Sequence, residues 1–169
     1  MQRPDADAVS GELALGVCLF ASRYPLQGSI RSSRIRPPAA DREIALAAEI
    51  EALANIPVHN LAGQTNLKEL LALCREARLV IGPDSGTLHM ATTQETPVIG
   101  LYAHSNPQRT GPYRDLHRVA DAYTPALGDI ALDAKKHRWG YRLKGPKLMA
   151  QITEQEVIEL VDQALAEAR

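Results

Sequence analysis

Apolar side chains in this chain fall into two kinds of run that take turns along the sequence. From Asp41 onward, Ile44, Ala47, Ala48 and Leu53 recur at helical spacing, with Asp41 placed to cap the start. Asn66-Leu67-Lys68-Glu69 reads as a capping box that opens a second helix, with Leu67, Leu70, Leu71 and Cys74 directed inward. Ser85–Gln94 predicts a third helix. Thr153-Glu154-Gln155-Glu156 opens a fourth, carrying Val157, Leu160, Val161 and Leu165. Between them lie short runs without polar alternation: Ile56–Leu61, closed by Ala62-Gly63, then Leu79–Gly82, then Pro97–Tyr102. Strands that are apolar on both faces and separated by helices predict a parallel sheet covered on both sides, with right-handed crossovers. The fold class is therefore α/β. The stretch His104–Tyr113 is too polar and too rich in Pro and Gly for regular structure. It is expected to leave a strand's carboxyl end beside the loop that follows Leu79–Gly82.

The chain divides near residue 37. Residues 22–38 are rich in Ser, Arg, Gly and Pro without clean periodicity, so 1–36 is expected to be an irregular leader and 37–169 one domain. At 169 residues and 45% hydrophobic, a single domain with a real core is expected. A net charge of −1 with few aromatics argues against a nucleic-acid partner. Cys18 and Cys74 lie far apart without metal-type spacing, which fits a reduced, cytoplasmic protein better than a disulfide scaffold. The apolar run Leu13–Ala21 is about half the length of a membrane span. The residues before it include Asp5, Asp7 and Glu12 where an export signal needs positive charge. Neither export nor membrane insertion is expected.

The candidate chemistry concentrates at Leu79-Val80-Ile81-Gly82-Pro83-Asp84-Ser85-Gly86-Thr87-Leu88-His89-Met90-Ala91. Strand, small polar turn and helix start follow one another there. The first amides of a helix have no partner inside it and the dipole is positive at that end, so a phosphate-bearing ligand fits. Asp84 or Ser85 can cap the helix, Gly86 lets a phosphate approach the backbone beside Thr87, and His89 lies one turn in. At a helix start a neutral imidazole donor is expected. The bland reading is a helix cap with a core-facing histidine. A nucleophilic Ser85 is rejected, because it needs a base histidine and a second acid placed around it. His59, His104, His117 and His137 show no ligand spacing, so no metal and no cofactor is expected. Lys135-Lys136-His137-Arg138 with Arg142, Lys144 and Lys147 form a basic patch, either a solvated face or a dock for an anionic acceptor or membrane surface.

Three stretches carry a resemblance: Asn60–Leu70, then Gly82-Pro83-Asp84-Ser85-Gly86 with His89-Met90-Ala91, then Thr96–Tyr102. Together with Asn106–Tyr113, Trp139-Gly140, Met149 and Ile152-Thr153 they make residues 37–167 resemble glycosyltransferase family 9, the lipopolysaccharide heptosyltransferases. The resemblance implies the GT-B architecture, two Rossmann-like domains facing across a cleft, with this chain its C-terminal, donor-binding half. It implies an inverting transfer of heptose from ADP-heptose to the lipopolysaccharide core, in the cytoplasm or at the cytoplasmic face of the inner membrane. The helix start would take the donor diphosphate, so no metal is mandatory. It implies donor contacts at Asp84, Ser85, Gly86, Thr87 and His89, with Glu43 on the ribose hydroxyls and Thr65 and Leu67 at the nucleobase. Glu43 also reads as a solvated first-turn carboxylate, and Leu67 as core. Asn106 and Arg109, with Thr110, would reach phosphate or acceptor; a solvated loop is the alternative. Neither the family's first domain, with the acceptor and a carboxylate base, nor the strand and phosphate-contacting lysine loop that open its second domain has a counterpart in the sequence. The donor-binding domain is therefore expected to be incomplete at its N-terminal edge, and no catalytic residue is assigned. The alternative function is a truncated, inactive remnant or a nucleotide-binding module without transferase activity.

Overall fold

The computed structural model describes residues 19–22, 40–55, 58–129, 139–145 and 147–167. In chain order these form β1 (Leu19–Ser22), α1 (Ala40–Leu53), α2 (Leu67–Glu76), β2 (Ala77–Pro83), α3 (Gly86–Thr93), β3 (Val98–Tyr102), the single turn α4 (Pro107–Thr110), β4 (Val119–Asp121), α5 (Tyr123–Asp129) and α6 (Glu154–Glu167). The sheet order is β1-β2-β3-β4. β2, β3 and β4 are parallel, in the register Gly82↔Gly100 and Gly100↔Val119. Their carboxyl ends therefore lie side by side.

Both faces of these strands are buried, as their lack of polar alternation predicts. Val80, Val98 and Tyr102 point to one side, where they meet Cys74 of α2 and Leu88 and Ala91 of α3. The intervening Leu79 and Ile99 point to the other, against Leu160, Val161 and Ala164 of α6. Helices thus cover the sheet on both sides, an α/β fold. Fully burying Leu79, Val80, Leu88, Val98 and Ile99 contributes about 2 kcal/mol each. Asn66 caps α2 as expected: its Oδ1 accepts from the amides of Lys68 and Glu69, while Glu69 Oε2 accepts from Asn66 N at 2.8 Å. Thr153 Oγ1 likewise accepts from Glu156 N at the start of α6.

Several expectations are corrected. β1 pairs antiparallel to β2, so the sheet is not wholly parallel, and this strand falls inside the 1–36 segment expected to be irregular. An antiparallel strand at the edge of an otherwise parallel sheet is a common arrangement. Val58–Leu61 form no strand, and Ile56 and Pro57 lie outside the described residues. Asn60 turns the chain instead, its Oδ1 accepting from Ala62 N while Gln64 N donates to Leu61 O. The 104–113 stretch does hold regular structure: Asn106-Pro107 supplies an N-cap and a proline at N1 for α4. α1 begins at Ala40, so Asp41 sits in its first turn rather than before it. Leu67 and Leu71 do not face inward; Leu67 is 70% exposed and Leu71 is at the surface, because the buried face of α2 runs through Cys74. β4 and α5 have no counterpart among the predicted elements.

One polar cluster is buried at the amino end of β4. Arg118, 8% exposed, donates to Asp115 and to Glu167 near the end of α6, tying that helix to the chain just before β4. Burial pushes the Asp115 carboxyl up, and the guanidinium of Arg118 opposes that without reversing it.

Candidate functional site

The end of β2 delivers Asp84 to the mouth of α3. Ser85 is the N-cap, extended at φ −145°, and its Oγ accepts from Leu88 N at 3.4 Å. Gly86 and Thr87 follow at the first two helical positions, where an amide has no carbonyl four residues back inside the helix. Gly86 is exposed, and a Cβ built on it would meet no protein atom within 4 Å. Its φ is not positive, so neither backbone conformation nor crowding by the protein demands glycine.

Asp84 is held from several directions. His89 Nε2–H donates to Oδ1 at 3.3 Å, Thr110 Oγ1 donates to Oδ2 at 3.0 Å, and Arg142 Nη2 donates to Oδ2 at 3.2 Å. Burial alone pushes this carboxyl up, but hydrogen bonds from Ser105, Thr110 and His89 outweigh it and hold it below the usual aspartate range. Thr110 is fixed in turn by Tyr102, whose buried hydroxyl donates to Thr110 O at 2.7 Å. The tail reaches the site because Leu143 N donates to His104 O, His104 Nδ1–H donates to Leu143 O, and Tyr123 OH donates to Tyr141 O.

The expected site residues divide into groups. Asp84, Ser85, Gly86, Thr87 and His89 are brought together. His89 does not present its ring N–H outward, because that proton is directed at Asp84; a neutral ring so engaged offers only an acceptor elsewhere. Asn106 spends its side chain on capping α4 through Gln108 N at 2.9 Å. Arg109 lies against the tail, its guanidinium so close to Gly140 that a Cβ there would come within 2.7 Å of Nη1. Glu43 sits in the first turn of α1, half-buried, and desolvation raises its carboxyl. Its neighbour Ile44 rests on the turn at Gly63, which brings α1 beside the Asn60–Asn66 turn where Thr65 lies. Leu67 opens α2 at the surface. Cys74 Sγ, on that same helix, lies 3.9 Å from Thr87 O, so α2 flanks the first turn of α3.

Sequence reasoning missed Ser105 and the use of Arg142 as the partner of Asp84. A signal existed for Ser105. The register Pro83↔Leu101 places whatever follows β3 next to whatever follows β2. Of the basic patch, Arg142, Lys144 and Lys147 are exposed, while Lys135–Arg138 lie outside the described residues.

Glycosyltransferase family 9 (heptosyltransferase) matches residues 35–129, more than half of the chain. The chain belongs to this family. Among family members, it is 45% identical over 120 residues to the lipopolysaccharide core heptosyltransferase OpsX of Haemophilus influenzae, covering 70% of this chain and 35% of that protein. It is 30% identical over 112 residues to lipopolysaccharide heptosyltransferase 2 of Salmonella typhimurium, covering 64% of this chain and 29% of that one. The chain thus spans about a third of the length of these relatives. No solved structure matches it. The family match takes in Glu43, Thr65, Leu67, the Asp84–His89 turn, Asn106 and Arg109 and ends before Arg142.

Acid is expected to loosen this site. A carboxylate held below its unfolded value contributes stability that is complete above that value and disappears as pH falls through the lower, folded one. The stability difference between the protein and its Asp84→Asn variant, measured by urea unfolding, should hold steady above about pH 5 and shrink below about pH 4. A difference independent of pH down to 2 would mean that Asp84 is not held in its charged form.

Proposed function

We propose that this chain forms the donor-binding part of a heptosyltransferase acting on the lipopolysaccharide core, and that it holds a nucleoside-diphosphate sugar, ADP-heptose, at the start of α3. The observation that carries this reading is the open approach to Gly86. A helix start with room over its first residue, flanked by a capped turn, is a place where a diphosphate can meet backbone amides directly. Membership of family 9 supports the sugar-nucleotide chemistry.

On this reading a hydroxyl of the acceptor attacks the anomeric carbon as the bond from that carbon to the diphosphate oxygen breaks, with inversion. The amides and dipole of α3 stabilise the charge that gathers on the leaving diphosphate. Asp84, with Thr110 and His89, keeps the turn in shape; Thr65 and Leu67 border the base, and Glu43 accepts from the ribose. Asn106 holds α4, and with it Thr110, in place, while Arg109 braces the tail. The base that takes the acceptor's proton is assigned to the family's acceptor-binding half rather than to a residue described here. The protein works in the cytoplasm, at the inner face of the inner membrane, with Lys144 and Lys147 available to an anionic surface.

Titrating ADP into the protein by calorimetry tests this. Micromolar binding is expected, with Asp84→Ala weakening it at least about tenfold, since the turn loses the hydrogen bonds from Thr110 and His89, roughly 1 kcal/mol each. No heat with ADP or ADP-heptose would overturn the reading. Binding without heptose transfer to a lipopolysaccharide acceptor would leave a nucleotide-binding module.

A further inference from the structure

We infer that Arg142, delivered by the tail at residues 139–145, is a donor-binding residue that grips the diphosphate from the side opposite α3; the inference rests on the donor-site reading above. Its backbone is anchored on both sides, while its side chain is largely exposed. Leu143 on one side is buried and hydrogen-bonded in both directions to His104, and Tyr141 O on the other receives the Tyr123 hydroxyl. The Arg142 side chain between them remains 66% exposed and touches Asp84 through one nitrogen at 3.2 Å.

That contact is a weak use of a guanidinium. A single exposed ion pair is worth little, because water screens it and the long side chain loses freedom in making it. Asp84 does not depend on it, since Thr110, His89 and Ser105 already hold the carboxylate. Arginine carries five N–H donors in a planar fork that matches two phosphate oxygens at once. Among the described residues Arg142 spends one donor, on Asp84, and the remainder point to no other partner there. Arg142 also moves from Asp84 to a phosphate at little energetic cost. Among the described residues it is the only Lys or Arg in contact with Asp84. Arg109, another arginine near the tail, lies against Gly140 and steadies the tail instead.

A double-mutant experiment separates gripping the ligand from merely pairing with Asp84. ADP, AMP and adenosine are titrated into the protein, Arg142→Ala, Arg142→Lys, Asp84→Asn and the Asp84→Asn/Arg142→Ala double variant, with thermal unfolding to verify that each folds. Arg142→Ala should weaken ADP about tenfold, AMP less, and adenosine not at all, as expected for loss of a charge-assisted bond. Arg142→Lys should recover part of the loss. The cost of removing Arg142 should persist when Asp84 is already Asn. If it vanishes in that background, Arg142 only serves Asp84 and the inference is overturned. It is equally overturned if wild type binds ADP and Arg142→Ala binds it as well. A wild-type protein that binds no ADP removes the donor-site reading itself, and this inference with it.

Discussion

Replacing Arg118 with alanine is expected to destabilise the fold by about 3 kcal/mol, the typical consequence of removing one partner from a buried ion pair. In a domain of this size that lowers the melting temperature by about 10 °C. The effect is large because of what stays behind. Asp115 is 5% exposed and loses its counter-charge, whereas Glu167 is at the surface and simply returns to water. Glu167→Ala should therefore lower the melting temperature much less than Arg118→Ala does. The pH dependence carries a sign of its own. A carboxyl raised by burial binds its proton more tightly in the folded state, so folding is favoured at low pH and opposed as pH rises. Without Arg118 the carboxyl rises further, and the deficit of the alanine variant should be wider at pH 8 than at pH 5. The double replacement Asp115→Leu with Arg118→Met should recover most of the loss, since apolar groups of similar volume need no partner. A melting temperature for Arg118→Ala within about 2 °C of wild type would mean that the cluster does not tie α6 to the sheet.

What could be read from the sequence follows the reach of each interaction. The unit β2–turn–α3 was legible because its signals are local: an apolar run, Gly82-Pro83 to end it, and Asp84-Ser85-Gly86 to start a helix. The Asn66–Glu69 capping box was legible for the same reason, as both its bonds close within three residues. β4 was not, being three residues long and ending in Asp121; only its pairing with β3 makes it a strand. The hydrogen bond from Arg142 to Asp84 spans 58 residues and depends on Leu143 meeting His104, which no local pattern announces. Leu67 fails differently. Helical spacing places it near the apolar stripe of α2, but the stripe's burial ends before the helix does. Spacing gives the face of a helix; only the neighbouring elements decide how much of that face they cover.

Gly86→Val is expected to separate stability from binding more sharply than any other single change. In most proteins a glycine at a helix start is retained for a backbone angle or for lack of room, and replacing it damages the fold. Neither applies here, because φ is not positive and a Cβ would meet nothing within 4 Å. Valine at the first helical position loses some rotamer freedom and gains relative to glycine in backbone entropy, so the net change should stay within about 0.5 kcal/mol. The same side chain would stand in the space through which a diphosphate reaches the amides of α3. Loss of two or more amide bonds to a charged group corresponds to at least about a hundredfold in affinity for ADP. Gly86→Ala, with one methyl in that space, should fall between. Calorimetry and thermal unfolding on the same samples read both quantities. Should the valine variant bind ADP like wild type, the phosphate does not approach this turn. Should it unfold several degrees earlier, the glycine serves the fold, and the open space above it has no bearing on a ligand.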